Sequence, residues 1–226
     1  MIYSIPYVIL ILIYGLLADY YRRADEADRS RINMVCIAIF ILFFGFRGFV
    51  GQDWSNYYPT FERLSSANLG DFFNSFDDTS FEPGFVFLML SCKTVFDNYH
   101  FMVFVCTLIN AILLFRFIFK NIHNTPLALI VFLCMGGLIM EINLLRNSIS
   151  ILIFLNTIEY IQKRKPLPFF LWNLLGLSFH VSSILYFPVY FFFHKRPPKW
   201  LFVGILIVSN IVFFSGIKFV TPILVA

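Results

Sequence analysis

The chain has 226 residues, of which 59% are hydrophobic and 13% are charged, and its mean hydropathy is +0.80. Soluble domains carry about 25% charged residues, so this composition excludes an ordinary soluble enzyme and predicts a polytopic membrane protein. The net charge of +4 is spread between apolar runs and forms no basic patch. A nucleic-acid partner, which needs such a patch, is therefore not expected.

About seven or eight apolar segments follow one another and predict an all-α bundle of membrane helices, a single integral membrane domain over residues 1–226. The first segment, about 2–18, reads as a retained anchor because no signal-cleavage site follows it. The charged stretch 19–31 is predicted to be a loop, and its four arginines place it in the cytoplasm. The second segment, about 32–46, then runs outward and ends at Arg47.

The longest polar stretch, residues 47–83, is predicted to be an extracytoplasmic loop. It holds six acids against two bases, a balance that fits the outer face. Four apolar residues in this loop fall at helical spacing: Tyr57, Tyr58, Phe61 and Leu64. We therefore expect one or two short amphipathic helices on the outer surface.

The later segments are uneven in length, and their charges predict their sides. The run 85–96 is short for a span of about 20 residues, so we expect it to dip in and return outward. Basic clusters at 163–165 and 195–199 are both predicted inside. The block 166–193 between them is then a hairpin of two short helices that turns near 176–183. Eight full spans are the alternative topology.

This topology brings residues that are distant in sequence to the outer face: Arg47, Asp53, Glu82, Arg146 and His180. Non-helical backbone at membrane depth is tolerated where it lines a cavity, and broken helices often mark binding sites. We therefore expect a polar site on the outer side of the bundle.

Four polar residues recur at i, i+3, i+4 and i+7 on one helix face: Asn143, Arg146, Asn147 and Ser150. Arg146 lies in an apolar run, where its charge must face a partner or a water-filled cavity. A guanidinium group binds phosphate or carboxylate in a bidentate manner. The alternative is a buried ion pair of Arg146 with Glu141 or Glu82.

His180 and Asp53 are the candidate proton-transfer groups. A histidine transfers protons near neutral pH, although a lone His180 in an apolar segment is also a common packing residue. Asp53 stands beside Trp54, Tyr57 and Tyr58, and a carboxylate among aromatic faces suits a sugar ring. The alternative for these aromatic residues is a belt at the membrane interface.

Four short motifs occur in order along the chain: Arg47-x3-Gly51-x-Asp53-x3-Tyr57, Glu82-Pro83-Gly84, Arg146-Asn147-x-Ile149 and Phe179-His180-x-Ser182. With the membrane segments between them, they resemble the EpsG family. That family consists of multi-pass membrane proteins of exopolysaccharide and capsule gene clusters, akin to Wzy-type O-antigen polymerases. The resemblance covers nearly the whole chain.

The resemblance implies a polysaccharide polymerase of the bacterial inner membrane, a metal-independent glycosyltransferase that needs no cofactor. Such enzymes transfer a growing glycan from undecaprenyl diphosphate to the non-reducing end of a new lipid-linked repeat unit. The implied partners are therefore an undecaprenyl-diphosphate-linked oligosaccharide, membrane lipids and other polysaccharide assembly proteins.

The resemblance also implies roles for individual residues. Arg47 and Arg146 are expected to bind the diphosphate, and Asp53 or His180 is the base that deprotonates the acceptor hydroxyl. Glu82 is expected to orient the acceptor or to pair with an arginine. The expected sugar contacts are Trp54, Tyr57, Tyr58 and Asn147.

Members of this family are longer than the present sequence, which implies a truncated or compact member with part of the cavity missing. Two other functions stay open from the sequence. One is a transporter or flippase-like permease for an anionic lipid-linked sugar, which needs polar residues that continue to the cytoplasmic side. The other is a non-catalytic subunit of a glycan assembly complex.

Overall fold

The computed structural model describes residues 4–64 and 80–193, together with positions 200, 203, 204, 206, 207 and 210. The regular elements in these residues are all helical. They are α1 (Ile5–Arg23), α2 (Glu26–Gly45), α3 (Trp54–Arg63), α4 (Pro83–Val95), α5 (Tyr99–Asn121), α6 (Thr125–Phe132), α7 (Leu138–Ile142), α8 (Leu145–Gln162), α9 (Pro166–Phe179) and α10 (Val189–Phe193). A kinked segment, Leu133–Gly137, joins α6 to α7, with non-helical backbone at Met135 and Gly136. A 3₁₀ segment, Val181–Tyr186, follows α9.

The chain divides into two compact units, Met1–Phe187 and Pro188–Ala226. All packing and the site described below belong to the first unit. The second contains α10. The basic cluster at 195–199, most of the last apolar run and residues 65–79 of the loop lie outside the described residues. The single domain over the whole chain therefore stays a prediction.

Three helical stretches of the described chain are long and apolar enough to cross a membrane: Ile5–Arg23, Tyr99–Asn121 and Thr125–Ile142. Shorter apolar helical stretches accompany them: Pro83–Val95, Pro166–Phe179 and Val181–Phe193. The described chain is thus the helical membrane protein that the composition predicts. The number of seven or eight segments stays a prediction.

Two apolar clusters hold the first unit together. One packs α1, α2, α5 and α6 around large buried side chains such as Tyr14, Phe40 and Leu129. The other packs α3, α4, α5 and α8 around Phe61 and Met102. Helix α5 gives its C-terminal half to the first cluster and its N-terminal half to the second, so it links the two.

The charged stretch 19–31, predicted to be a loop, is helical except for Ala24 and Asp25, so that prediction was wrong. The Asp25 carboxylate accepts a hydrogen bond from the Asp28 backbone N–H at 2.8 Å and caps α2. Glu26 and Asp28 lie in the first turn, where the helix dipole favours acids. This capping signal extends the helix into the charged region.

The amphipathic helix predicted in the 47–83 loop is confirmed as α3, whose apolar face is buried in the second cluster. Lys93, at the end of α4, holds the C-terminus of α3 in place. The Lys93 Nζ donates to the backbone oxygens of Phe61 at 2.8 Å and Glu62 at 3.2 Å. Lys93 therefore satisfies carbonyl groups that a helix end leaves without intrahelical partners.

Replacing Lys93 by methionine is expected to destabilise the protein by about 1–3 kcal/mol, because the carbonyl oxygens at the end of α3 lose their donor. Asp97→Asn is the matched control. It removes the exposed carboxylate that lies 3.4 Å from Lys93 Nζ, and exposed ion pairs contribute at most about 1 kcal/mol. Thermal unfolding in detergent measures the stability lost in each of the two variants. Equal destabilisation by the two variants would contradict the capping role.

Helix α4 is short, and both of its ends lie beside α3. Its 13 residues span about 20 Å, less than the hydrocarbon core of about 30 Å. Near its start the Phe85 ring lies 5.4 Å from the Tyr57 ring, and near its end Lys93 binds the Phe61 carbonyl. Both ends of α4 therefore lie on the side of α3, as the predicted return of 85–96 requires, but α4 is one continuous helix with no dip and return within it.

The helices from α5 to α8 run back and forth between two ends of the unit. The loop end carries residues 46–53, where Phe49 stacks on Tyr99 at the start of α5 with centroids 5.7 Å apart. The basic end carries Lys120 and Lys163, which both pair with Glu159. Helix α5 therefore runs from the loop end to the basic end.

The next helices return to the loop end and then reverse again. At the start of α6, the Asn124 amide donates to the Ala18 carbonyl of α1 at 3.3 Å. After α7, the Asn143 side chain accepts a hydrogen bond from the backbone N–H of Gln52 at 2.8 Å. Helix α8 then runs back to Lys163 at the basic end. The position of Lys163 at the end opposite loop 46–53 is the one that the charges predict.

The chain reverses again after α9. His180 is extended, with φ −155° and ψ 129°, and Ser183 returns beside α9. A Cβ atom added at Gly176 would lie 3.0 Å from the Ser183 Oγ. The turn predicted near 176–183 is therefore confirmed.

Candidate functional site

An ion pair stands at the centre of the loop end. Arg146, in the first turn of α8, binds Glu82, the N-cap residue of α4, and their side chains are only 18% and 17% exposed. The other Glu82 oxygen, Oε1, accepts a hydrogen bond from the Val181 backbone N–H at 3.0 Å. Glu82 thus joins α4, α8 and the 3₁₀ segment. The sequence left Glu141 and Glu82 as possible partners of Arg146, and the structure shows that Glu82 forms the ion pair.

The guanidinium of Arg146 is also surrounded by aromatic rings. It lies 4.4 Å from the Phe81 centroid, 5.7 Å from Tyr57 and 5.8 Å from Phe85, distances at which cation–π attraction acts. Its Nε is buried and has no hydrogen-bond partner among the described residues. An unpaired buried donor is unfavourable, and because this nitrogen has almost no exposed surface, it offers no contact to a ligand in a neighbouring cleft.

Arg146 lines a polar cleft of about 510 Å³, and α3 supplies most of the other side chains. Asp53, Asn56, Thr60 and Arg63 follow one another at i, i+3, i+7 and i+10, so they share one helix face. Ligand sites have volumes of about 300–1,000 Å³. The polar cleft therefore has the size of a ligand site and contains one carboxylate and two guanidinium groups.

Arg63, Asn56 and Ser55 line the polar cleft but are absent from the predicted site. The periodicity that identifies the apolar face of α3 also marks the opposite face, so the sequence carries a signal for Asn56 and Arg63. The periodicity of α3 cannot predict that Arg146 lies across the cleft, because Arg146 belongs to α8, which is far from α3 in sequence.

Asp53 is a hydrogen-bonded carboxylate beside the polar cleft. Its Oδ2 accepts a hydrogen bond from the Tyr57 hydroxyl at 3.2 Å. Burial raises the pKa of Tyr57 to about 12, so this hydroxyl keeps its proton and acts as the donor. Asp53 also precedes the first turn of α3, where the helix dipole favours a negative charge.

The hydrogen bond of His180 decides which of its nitrogens carries the proton. Its Nδ1 accepts a hydrogen bond from the Ser182 backbone N–H at 3.1 Å, so the neutral ring carries its proton on Nε2. His180 lies between helical segments, where burial lowers its pKa, Glu82 raises it and Arg146 lowers it. The neutral ring thus presents an N–H donor at Nε2 and has no free acceptor nitrogen.

The polar face predicted on α8 faces the 3₁₀ segment as well as α4. Asn147 Oδ1 accepts a hydrogen bond from the Ser182 hydroxyl at 3.0 Å, and Ser150 is hydrogen-bonded to Ser183. The Asn147 oxygen, predicted to contact sugar, is therefore engaged in holding the reversal after α9.

Loop 46–53 is attached to the break between α7 and α8 through Asn143. The Asn143 oxygen that accepts from the Gln52 N–H leaves no room for a side chain at Gly51, since a Cβ there would lie 2.1 Å from it. Gly51 also has φ +88°, a conformation that favours glycine.

Gly51→Ala is therefore expected to lower the free energy of unfolding by at least about 1–2 kcal/mol, the strain of a left-handed residue alone. It should also detach loop 46–53 from Asn143. Gly48→Ala in the same loop is the matched control, because no atom lies within 4 Å of the added Cβ. Thermal unfolding compares them, and an equal effect of both would contradict the close contact at Gly51.

Arg47 lines a second cleft, of about 540 Å³, and is absent from the lining of the polar cleft. Most of the second cleft is aromatic: Phe46, Phe96, His100, Phe101 and Phe104. The Arg47 Nη1 donates to the Phe44 carbonyl at 2.8 Å. The structure therefore groups Asp53, Glu82, Arg146 and His180 at one place and puts Arg47 in this aromatic cleft.

Trp54 and Tyr58 form an aromatic wall with Phe49 and Tyr99. Phe49 lies 4.8 Å from Trp54 and 5.1 Å from Tyr58, and Tyr58 lies 5.4 Å from Tyr99. Of the three aromatic residues predicted to contact sugar, Tyr57 is the one that lines the polar cleft. The side chains of Trp54 and Tyr58 instead pack between α3 and the start of α5.

The loop end thus offers two arginines and a carboxylate at one cleft, with a histidine N–H close to the Arg146–Glu82 pair. Such a set suits an anionic ligand that also carries hydroxyl groups. Over the described ranges, no three His, Cys, Asp or Glu side chains gather where they could hold a metal. Fold and site together define a helical membrane protein with a polar cleft at one end of its bundle.

The chain belongs to the EpsG family, whose sequence model matches residues 31–226. This is a family of polysaccharide polymerase-like membrane proteins. The matched range contains all four motifs that carry the resemblance. Comparisons with curated proteins and with solved structures gave no match.

Proposed function

We propose that this protein is a polysaccharide polymerase of the bacterial inner membrane, a multi-pass protein that acts at the outer face. It transfers a glycan from undecaprenyl diphosphate to the non-reducing end of a lipid-linked repeat unit in exopolysaccharide, capsule or O-antigen synthesis. The observation that carries the proposal is the polar cleft, where Arg63 and Arg146 stand beside Asp53. Family membership supports the same class of reaction.

The distribution of charge supports an outer position for the site. Arg22 and Arg23 end α1, and Lys120 and Lys163 lie at the basic end. Positively charged residues favour the cytoplasmic side, so the loop end with the polar cleft faces outward. Lipid-linked repeat units are expected to be polymerised on that side.

In the proposed reaction, a hydroxyl oxygen of the acceptor sugar attacks the anomeric carbon of the donor glycan. The bond from that carbon to the diphosphate breaks, and the diphosphate leaves on its lipid carrier. Asp53 takes the hydroxyl proton, and Arg146 with Arg63 offsets the negative charge that develops on the leaving group. No further reactant is required, because the diphosphate is itself the leaving group.

The geometry favours Asp53 over His180 as the base. The Nδ1 of His180 accepts from Ser182, so its neutral ring offers a donor to a substrate oxygen and no lone pair for a proton. Asp53 keeps a carboxylate at the polar cleft. Glu82 pairs with Arg146 and holds it in position.

Arg47 fits the proposed function through a different surface. The aromatic cleft around it offers apolar faces to a polyprenyl chain and a guanidinium to the attached diphosphate. Donor and acceptor are both lipid diphosphates, so two arginine-bearing clefts, at Arg47 and at Arg146, give each substrate its own cation.

The proposal is tested by complementing a strain that lacks the gene with four variants: Arg47→Ala, Asp53→Ala, Arg146→Ala and His180→Ala. We expect short glycans or none from these variants at normal protein levels. The same purified protein in vesicles should lengthen glycans on undecaprenyl diphosphate with no other protein present. Normal chain lengths from all four variants would overturn the catalytic assignment.

A permease for an anionic lipid-linked sugar is the second candidate, because buried polar residues continue inward from the loop end. They are Asn110, Glu141, Ser148, Thr157 and Asn173. Several bond to one another, as when the Asn173 amide donates to the Thr157 hydroxyl at 3.1 Å. Vesicles separate the two functions, since a permease moves the lipid-linked sugar across the membrane without lengthening it. A non-catalytic subunit would do neither alone.

A further inference from the structure

Loop 46–53 runs from the aromatic cleft to the polar cleft. Arg47, near its start, lines the aromatic cleft, and Asp53, at its end, lines the polar cleft. The chain between these two residues spans at most about 20 Å when fully extended, so the clefts are close neighbours. No residue lines both of them, and they are therefore separate pockets at the loop end.

The aromatic wall stands between the two clefts, and Phe49 contacts rings on both sides of it. The Phe49 ring lies 4.9 Å from His100, which lines the aromatic cleft, and 4.8 Å from Trp54, which follows Asp53 in sequence. Tyr99 stacks on Phe49 at 5.7 Å. Phe49 is nevertheless 47% exposed. Its ring is thus held by its neighbours and still open to a ligand that lies along the wall.

The proposed reaction places different demands on the two lipid diphosphates. In the donor, the anomeric carbon under attack is bonded directly to the diphosphate, so the donor diphosphate must lie in the same cleft as the base. The polar cleft meets this condition, because Arg63 and Arg146 line it together with Asp53. In the acceptor, the attacking hydroxyl is at the non-reducing end and the diphosphate is at the reducing end. The repeat unit separates the two groups, so the acceptor diphosphate can occupy another cleft.

We propose that Arg47 binds the diphosphate of the acceptor in the aromatic cleft, and that the acceptor glycan crosses the aromatic wall on Phe49 to bring its terminal hydroxyl to Asp53. Sugar rings carry apolar C–H faces that bury well against aromatic side chains. The acceptor hydroxyl oxygen bonds to the donor anomeric carbon, the donor diphosphate leaves with the bonding electrons, and Asp53 takes the proton.

The assignment of donor and acceptor rests on the proposed function. The binding of a lipid diphosphate at Arg47 with its glycan on Phe49 does not, because it requires no catalysis. The experiments below therefore include one arm that measures lengthening and one that measures binding alone.

A single sugar cannot serve as the acceptor in this arrangement. Its hydroxyls and its diphosphate are on one ring, whereas Arg47 and Asp53 lie on opposite sides of the aromatic wall. The accepting sugar of the repeat unit, linked alone to undecaprenyl diphosphate, should therefore not be extended in vesicles by protein that extends the complete repeat unit. Equal extension of the two acceptors would overturn the proposal.

Two modified substrates separate the clefts kinetically. A lipid-linked repeat unit with its terminal hydroxyl methylated acts only as donor, and one with a carbon in place of the anomeric oxygen acts only as acceptor. For the acceptor-only substrate, Arg47→Met is expected to raise KM at least about tenfold and Phe49→Ala about three- to tenfold. The KM for the donor-only substrate should stay unchanged in both variants. Arg63→Met should show the opposite pattern. Equal rises for both substrates, or exchanged patterns, would overturn the assignment.

A binding measurement tests the same path without catalysis. Farnesyl diphosphate, which has a polyprenyl chain and a diphosphate but no sugar, is titrated into the purified protein beside the acceptor-only substrate. Arg47→Met should weaken both at least about tenfold, whereas Phe49→Ala should weaken only the acceptor-only substrate. Phe119→Ala is the matched control, because Phe119 is also 47% exposed but lies near the other end of α5. It should weaken neither.

The binding results distinguish a glycan path from an interfacial aromatic residue. If Phe49→Ala affects both ligands alike, or neither, the ring has no role toward the glycan and the proposal is wrong. Should Phe49→Ala fail to accumulate, Phe49→Leu replaces it with the same expectation, since leucine keeps an apolar side chain without an aromatic face. A protein that shows the expected binding pattern but lengthens no glycan would count against the proposed function alone.

Discussion

Replacing Asp53 by asparagine is expected to slow glycan polymerisation by about 10²–10⁴-fold, the range that a general base contributes. Asparagine keeps the size of the side chain and can still accept the hydrogen bond that the Tyr57 hydroxyl donates to Asp53 at 3.2 Å. It cannot take the proton of the acceptor hydroxyl. The fold should therefore survive while the reaction stops, and the rate of glycan lengthening in vesicles measures the effect.

Two matched variants decide whether Asp53 is the base. Tyr57→Phe removes the hydroxyl that donates to the carboxylate and is expected to reduce the rate much less. His180→Gln keeps an N–H donor and should also retain most of the activity, because His180 presents its Nε2 proton. A large loss in His180→Gln with near-normal activity in Asp53→Asn would assign the base to the histidine instead.

The second large effect is expected at the ion pair of Arg146 with Glu82. Arg146→Ala leaves the Glu82 carboxylate without its cation in a place where the two side chains are only 18% and 17% exposed. Breaking a buried pair costs about 3–5 kcal/mol, and because both side chains keep some exposure, we expect a loss of about 3 kcal/mol here. Thermal unfolding in detergent should show this loss, and glycan lengthening should stop.

The double variant Arg146→Ala with Glu82→Gln separates stability from activity. A neutral glutamine can still accept the Val181 N–H bond, which spans 3.0 Å to Glu82 in the protein. Stability should therefore largely return. Activity should not, because the guanidinium that binds the diphosphate is still missing. Recovery of both would show that Arg146 has a structural role only.

The sequence carries the local features of this fold. Apolar spacing identifies α3, the short run 85–96 corresponds to α4, and the polar break near 176–183 marks the reversal after α9. These features depend on neighbours within a few turns, so periodicity and length reveal them. The stretch 19–31 is the exception, because the cap at Asp25 extends α2 into a region that charge density alone suggests is a loop.

The candidate site could be predicted only in part. Arg146, Glu82, His180 and Asp53 are all predicted at one face, and the structure groups them at the loop end. Arg63 is absent from the predicted site, although its spacing from Asp53 places both residues on the same face of α3. The ion pair of Arg146 could not be chosen from sequence, since Glu141 and Glu82 are equally plausible partners for a charge in an apolar run.

The sequence by itself determines that this is an all-helical membrane protein of the EpsG family with polar motifs at one side of its apolar segments. Composition, charge and motif order are local or additive properties, so they can be read along the chain. Only the tertiary structure decides that Arg146 pairs with Glu82 and faces Arg63, while Arg47 lies in an aromatic cleft. Those choices depend on distances between helices, because electrostatic and hydrogen-bonding energies fall steeply with separation.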